Sequence, residues 1–293
     1  MSRITRTRRR SFPAFLRKPS GAVGSVLTAV ALLIALFGGL FAPHPIDASL
    51  GAPGHTPGGD YLLGLDYLGR DVLSRTLHGG FSVVVLGSAA TLLAYLVALP
   101  LGLIAGYNRG KLDSVLMRCL DIILAVPAII ILLLLVSGLG THAWVLVVGV
   151  AVVHLPGVAR VMRTAVQEVA VRSFVEAAVA RGERLPAILR REILPNVREV
   201  LLADVGIRFG WSVLIIASMN FLGVGLQPPI ADWGLMISEN RGFLSVNPWA
   251  TAAPAVLFAA LVVGLNLLAD SYARTAVSVA PDLATATEPS PVA

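Results

Sequence analysis

Apolar residues in this chain come in six long runs, not in a stripe that repeats every three or four positions. The runs cover residues 22–42, 81–107, 115–136, 142–159, 200–223 and 249–269. A helix needs about 20 such residues to cross a hydrocarbon layer of roughly 30 Å, so each run predicts one membrane-spanning helix. The second run is long enough to tilt, and Pro100 is placed to bend it. The fourth is the shortest. The fold class expected is all-α: a polytopic membrane protein with six transmembrane helices.

The connections between the runs divide the chain further. Residues 1–21 form a basic N-terminal segment, and residues 22–80 hold the first helix and the segment after it. Residues 81–270 hold the other five helices with a charged loop at 160–198, and residues 271–293 form a tail. In the first connection Asp66 and Asp71 come early and Arg75 and His78 late, an order that suits a helix macrodipole. Leu68, Val72, Leu73 and Leu77 would share one face, and Gly79 would stop the helix, so a short interfacial helix is predicted there. After Asp282 the residues are small, polar and interrupted by proline, and that part of the tail is expected to be disordered.

Charge then orients the helices. The first 20 residues carry Arg3, Arg6, Arg8, Arg9, Arg10, Arg17 and Lys18 and no acid. The segment 42–80 has only Arg70 and Arg75 against Asp47, Asp60, Asp66 and Asp71. Arg109, Lys111 and Arg118 make the next connection basic, and the one after it is uncharged. The loop 160–198 holds Arg160, Arg163, Arg172, Arg181, Arg184, Arg190, Arg191 and Arg198, whereas 224–248 has Arg241 alone. Basic and non-basic connections alternate, which places both termini and the loop 160–198 in the cytoplasm. The first run exceeds a usual signal-peptide core and ends at a poor cleavage site, so it is read as an uncleaved span.

Composition agrees with a membrane protein. Hydrophobic residues make up 56% of the 293, charged residues 14%, and the mean hydropathy is +0.80. A soluble domain would carry about a quarter charged residues. The net charge of +6 points to topology and not to nucleic acid, because the arginines sit in the loops. Cys119 is the only cysteine and makes no intrachain disulfide. Inside the spans, Asp121 lies one turn from Arg118 and is expected to pair with it; Arg208 can snorkel, and His154 reads as a packed residue.

The segment 176–195 has its own logic. Residues 174–181 can form one helix, in which Ala177, Ala178 and Ala180 give a small face. Gly182 supplies a left-handed stop, Pro186 suits the first turn of a second helix, and Ile188, Leu189 and Ile193 line its apolar side. Pro195 is expected to end that helix. By itself the pattern fits either an amphipathic hairpin lying on lipid headgroups or a rigid lever for a soluble partner.

Glu176, Ala177, Ala178, Gly182 and the closing Ile193, Leu194 and Pro195 resemble the loop by which permease subunits of ATP-binding-cassette importers dock their ATPases. Where that pattern has Ile three residues before the proline, this chain has Glu192, with Ile193 beside it. Three further stretches are similar to the second, C-type permease of dipeptide, oligopeptide and nickel importers. They are residues 63–75, with Asp66, Gly69, Arg70 and Asp71; residues 102–127, with Gly102, Gly106, Asp113, Asp121 and Pro127; and residues 221–234, with Gln227, Pro228, Pro229 and Trp233. The likeness extends over residues 21–270. Trp233 suits a membrane interface, while Ala98, Gly102 and Gly106 permit close helix contact.

The resemblance implies a type I ABC importer permease fold in a prokaryotic inner or plasma membrane. It also implies a homologous B-type permease as partner, two ABC ATPase subunits, and an extracytoplasmic substrate-binding protein meeting the external residues named above. The implied cargo is a short peptide, with nickel or another small solute as the alternative. The chain itself is expected to be no enzyme and to bind no cofactor or metal. Gly110 and Lys111 precede Leu112 without a phosphate-binding loop, so ATP and Mg would be used by the partner ATPases. An ion-coupled secondary transporter, the rival reading, would want several ionisable groups at mid-membrane, and these spans hold few.

Overall fold

A computed structural model describes residues 19–279, with side chains as far as Ser271. The basic stretch before Pro19 and the polar tail after Val279 lie outside the described residues. The described part is helical: α1 Pro19–Phe37, α2 Val72–Asn108, α3 Lys111–Leu124, α4 Ala128–Leu139, α5 Ala143–Val169, α6 Ser173–Ala180, α7 Leu185–Ile188, α8 Leu194–Phe221, α9 Trp233–Asn240 and α10 Trp249–Val279. Two 3₁₀ turns, Gly38–Phe41 and Arg241–Phe243, and a π turn, Leu189–Ile193, complete the element order. Among the described residues, five helical runs are long and apolar enough to cross a membrane, and the α3–α4 pair makes a sixth crossing if counted as one.

The bundle has two ends. At the cap end, residues 42–71 and 222–248 fold over the mouths of α1, α2, α8 and α10. At the loop end, α6, α7 and the π turn pack beneath the ends of α2 and α5. At 37 residues, α2 extends for about 55 Å and therefore outruns the hydrocarbon layer.

Two sequence expectations change here. No separate interfacial helix precedes the second span. Asp71 caps α2 by accepting from the Ser74 amide (2.9 Å) and hydroxyl (2.6 Å), and the helix runs unbroken past Gly79 and Gly80. Those glycines are helical because of packing: a Cβ on Gly80 would lie 2.5 Å from the Trp233 ring and 2.6 Å from Ala35. Leu68 is left outside the helix and exposed. The third span is likewise not one helix. α3 and α4 meet at 78° across residues 125–127, where Pro127 has no amide to donate and disfavours helix at Val126.

Boundaries elsewhere move outward. α5 continues past Ala159 because Arg160 and Arg163 on its extension pair with Asp121 and Asp113 of α3. Asp121 thus pairs with Arg160 and not with Arg118. α8 begins at Leu194, and the whole stretch Leu185–Phe221 is one helical run.

Small residues set the helix contacts. Ala98, Gly102 and Gly106 of α2 face α5, where a Cβ on Gly102 would come 2.7 Å from the Met162 Cβ and one on Gly106 2.7 Å from the Val166 Cβ. Gly24 of α1 meets Leu267 and Gly264 of α10 in the same way. Around these contacts, buried Leu132, Leu146, Val150, Ile216 and Met219 fill the space between α4, α5 and α8. Outer faces of α1, α2 and α10 expose large aliphatic side chains such as Val26, Leu96 and Val256, as lipid contact requires.

Candidate functional site

At the loop end, residues 176–195 fold as a compact helical turn. α6 closes with paired bonds: the Glu183 amide donates to the Ala178 carbonyl (3.2 Å) and the Gly182 amide to the Val179 carbonyl (2.9 Å). Gly182 has φ +75°, the left-handed conformation this closure needs and a side chain resists. Val175 and Ala178 of α6, with Ile188, Ile193 and Val197, form a buried cluster against Ala165 and Val166 of α5. The segment is thereby joined to α5 before it and to α8 after it.

The three small residues divide between two faces. Ala178 is buried in that cluster, whereas Ala177, Ala180 and Glu176 are exposed. Beside them Val171, Phe174 and Val179 present apolar side chains outward. The outcome is an exposed surface that mixes apolar and charged groups on a rigid base.

Glu192, where the resemblance led us to expect Ile, turns to the Arg181 guanidinium (3.8 Å), which also holds Glu183 (2.6 Å). Ile193, fully buried, fills the apolar position instead. Pro195 does not end the helix. The π turn before it widens the backbone, with the Leu194 amide reaching the Leu189 carbonyl, and Pro195 then occupies the first turn of α8, where no amide is required.

At the cap end, the residues singled out in sequence fall into two groups. Asp66, Arg70 and Asp71 are buried, and with Arg75 and Glu239 they make a framework. Asp66 accepts from Arg70 Nε at 2.7 Å and from the amides of Leu68 and Arg70. Glu239 of α9 receives Arg70 (3.2 Å), Arg75 (3.1 Å) and the Tyr67 hydroxyl (3.1 Å). Arg75 also donates to the carbonyls of Ile46 (3.0 Å) and Pro229 (3.3 Å). Gly69 has φ +76°, and a Cβ there would sit 2.2 Å from the Gly51 carbonyl oxygen. Burial pushes the Glu239 carboxyl above its usual range, against the pull of the two arginines.

Trp233 belongs to the same framework and not to a membrane interface. It is fully buried, and its indole N–H donates to the Thr76 carbonyl at 2.8 Å. Before it, Asp232 caps α9 through the amides of Gly234 and Leu235 and also accepts from Asn220 and Ser82. Complete burial raises the Asp232 carboxyl above its usual range despite these four donors. Gln227, Pro228 and Pro229 are exposed and form the turn that the framework carries.

Three structural residues belong to no motif in the sequence pattern. Glu239 and Asn247, which donates to the carbonyls of Leu63 (3.0 Å) and Leu65 (3.1 Å), act on partners more than 160 positions away. The third is Asp204, whose charge inside the fifth apolar run was the available signal. Tyr95 donates to it at 2.6 Å and Arg208 pairs with it at 3.4 Å. His154 is buried nearby on α5. Among the described residues, no group of three or more His, Cys, Asp or Glu is placed to hold a metal.

Residues 98–276 match the family described as binding-protein-dependent transport system inner membrane component. The chain is 32% identical over 261 residues to the di/tripeptide transport system permease protein DppC of Pseudomonas aeruginosa, covering 85% of each. It is 33% identical over 214 residues to the glutathione transport system permease protein GsiD of Pectobacterium atrosepticum, covering 73% of this chain and 71% of that one. Its fold is similar to a chain of the inward-facing MetNI methionine ABC transporter, with a TM-score of 0.56 at 20% identity over 70% of this chain and 95% of that one.

Proposed function

The chain belongs to the family of binding-protein-dependent transport system inner membrane components, and from that membership we propose that it is one permease subunit of an ATP-driven importer. ATP hydrolysis lies in partner subunits. The observation that carries the reading is the anchoring of residues 176–195 to both α5 and α8 through one buried cluster. A load applied to the exposed face around Glu176 therefore reaches two long helices at once. Glu176, Ala177, Ala178, Gly182, Ile193, Leu194 and Pro195 then serve the contact with a cytoplasmic ABC ATPase, Glu176, Ala177, Gly182 and Pro195 from the exposed side and Ala178, Ile193 and Leu194 from within.

A homologous B-type permease supplies the other half of the pathway, and two ATPases and an external binding protein complete the assembly. Gln227, Pro228 and Pro229 form the exposed turn that the binding protein meets, with Asp66, Gly69, Arg70, Asp71 and Trp233 holding it in place. In this arrangement the chain crosses a prokaryotic inner membrane six times, the α3–α4 pair counting as one crossing, and both termini are cytoplasmic.

Short peptides are the cargo best supported, since the relatives named above are named for di/tripeptides and for glutathione, itself a tripeptide. Nickel chelates are the alternative. The test is uptake of a labelled dipeptide by the assembled complex in proteoliposomes. ATP-dependent uptake, suppressed by unlabelled dipeptide and not by a nickel chelate, is expected. Uptake that follows an ion gradient without ATP, or that yields only to the nickel chelate, would overturn the reading.

A further inference from the structure

Beside the loop segment lies a groove of about 260 Å³ between α2 and the α7–α8 turn. Leu99, Leu103 and Ile104 line one wall and Pro186, Leu189 and Leu194 the other, and Arg190 is the only charged residue on it. No α6 residue lines the groove, so it is separate from the face around Glu176.

The arginines of this end fall into two classes. Arg160, Arg163 and Arg181 each hold a carboxylate, on Asp121, Asp113 and Glu183. Among the described residues of the loop 160–198, Arg172, Arg184, Arg190, Arg191 and Arg198 pair with none, and all five are exposed. An apolar slot beside an unpaired guanidinium calls for a ligand with a long apolar body and an anionic head.

Depth selects among such ligands. Leu99 sits nine residues before the end of α2 at Asn108, about 14 Å along the helix axis. The groove therefore starts at the basic end of the bundle and runs inward beside α2, whose neighbouring Leu92, Leu96 and Val97 are exposed as a lipid-facing surface is. Arg190 precedes Leu194 by one turn of the helical run that continues into α8, so it lies nearer the basic end of the groove than Leu194 does.

We propose that this groove binds one anionic phospholipid of the bilayer, with an acyl chain between α2 and the α7–α8 turn and the phosphate on Arg190. The lipid would wedge the turn against α2, so a bilayer component would set the rest position of the same segment. A basic pocket between helices at the cytoplasmic surface is the kind of site that selects anionic headgroups.

The test is lipid retention by the purified full chain, read by native mass spectrometry after exchange into mixed phosphatidylglycerol and phosphatidylcholine. Wild type is expected to keep one phosphatidylglycerol, with a preference of roughly fivefold, the size expected of one arginine at a headgroup. Arg190→Gln should bring the preference near unity, while Arg198→Gln, an unpaired arginine off the groove, leaves it unchanged. Ile104→Trp should displace both lipids by filling the slot. Equal retention of the two lipids by wild type overturns the proposal, as does the same loss in Arg190→Gln and Arg198→Gln. Unchanged retention in Ile104→Trp would assign the lipid to the surface and not to the groove. If Arg190→Gln keeps the lipid preference and instead sheds a co-purifying protein, Arg190 serves a protein interface and the lipid site is refuted.

Discussion

The Tyr95 hydroxyl donates a 2.6 Å hydrogen bond to the Asp204 carboxylate, joining α2 to α8 within the bundle. Arg208, one turn further along α8, holds the same carboxylate at 3.4 Å. A bond to a charged acceptor contributes about 1.5–3 kcal/mol. Tyr95→Phe keeps the ring and removes only that bond, so it should lower the stability of the detergent-purified protein by about that amount, read as the midpoint of thermal or denaturant unfolding. An unchanged midpoint would mean that Arg208 alone suffices for Asp204.

The cap should fail at Arg75. This residue is fully buried and joins Glu239, Ile46 and Pro229 through one guanidinium. Arg75 also lies 3.4 Å from the Asp66 carboxylate, so Arg75→Met removes one of the two arginines on each of Glu239 and Asp66 and should cost about 3–5 kcal/mol. Arg75→Lys should recover little, since one ammonium cannot match a planar fork reaching three acceptors. Limited proteolysis of the segment before α2 reads the loosening directly.

Asp232 and Glu239 give stability a pH dependence of definite sign. Burial raises both carboxyls, so the folded chain binds these protons more tightly than the unfolded one. Their contribution grows as pH falls from neutrality through the raised values, and levels off once the ordinary carboxylate range is passed. Asp232→Asn keeps an oxygen for the amides of Gly234 and Leu235 and removes the buried charge. It should be more stable than wild type at neutral pH, with the gap closing on acidification. A gap that widens on acidification would contradict the assignment.

The α2–α5 contact should not tolerate side chains at its glycines. Gly102→Ala places a carbon 2.7 Å from the Met162 Cβ and 2.8 Å from the Ala159 carbonyl oxygen. Neither can swing aside, so a loss of about 1–3 kcal/mol is expected. Gly138→Ala, where nothing lies within 4 Å, is the matched control and should change little. Unfolding midpoints of the two variants decide the point.

What could be read from sequence followed the range of the interactions. Long apolar runs mark spans because the membrane imposes length, and five of the six coincide with single long helices, whereas the third is broken between α3 and α4. Gly182 was legible because a left-handed stop leaves few residue types. Gly79 was misread for the same reason: a glycine that looks like a stop can equally be a place where Trp233 needs room. The break at Pro127 was hidden by apolar residues on both sides, and the passage of Pro195 into α8 depends on a π turn with no sequence mark. The Arg75–Glu239 pair, 164 positions apart, has no local signature at all.

The measurement closest to the central claim is an affinity pull-down of the solubilised protein from its own membranes, read by mass spectrometry, wild type beside Gly182→Pro. Proline cannot adopt φ +75° and has no amide for Val179, so the turn after α6 opens while the exposed charges remain. Wild type should bring down a second permease and ABC ATPases, and the variant the second permease without the ATPases. A wild-type chain that purifies alone after gentle crosslinking, or a variant that keeps its ATPases at wild-type level, would contradict it.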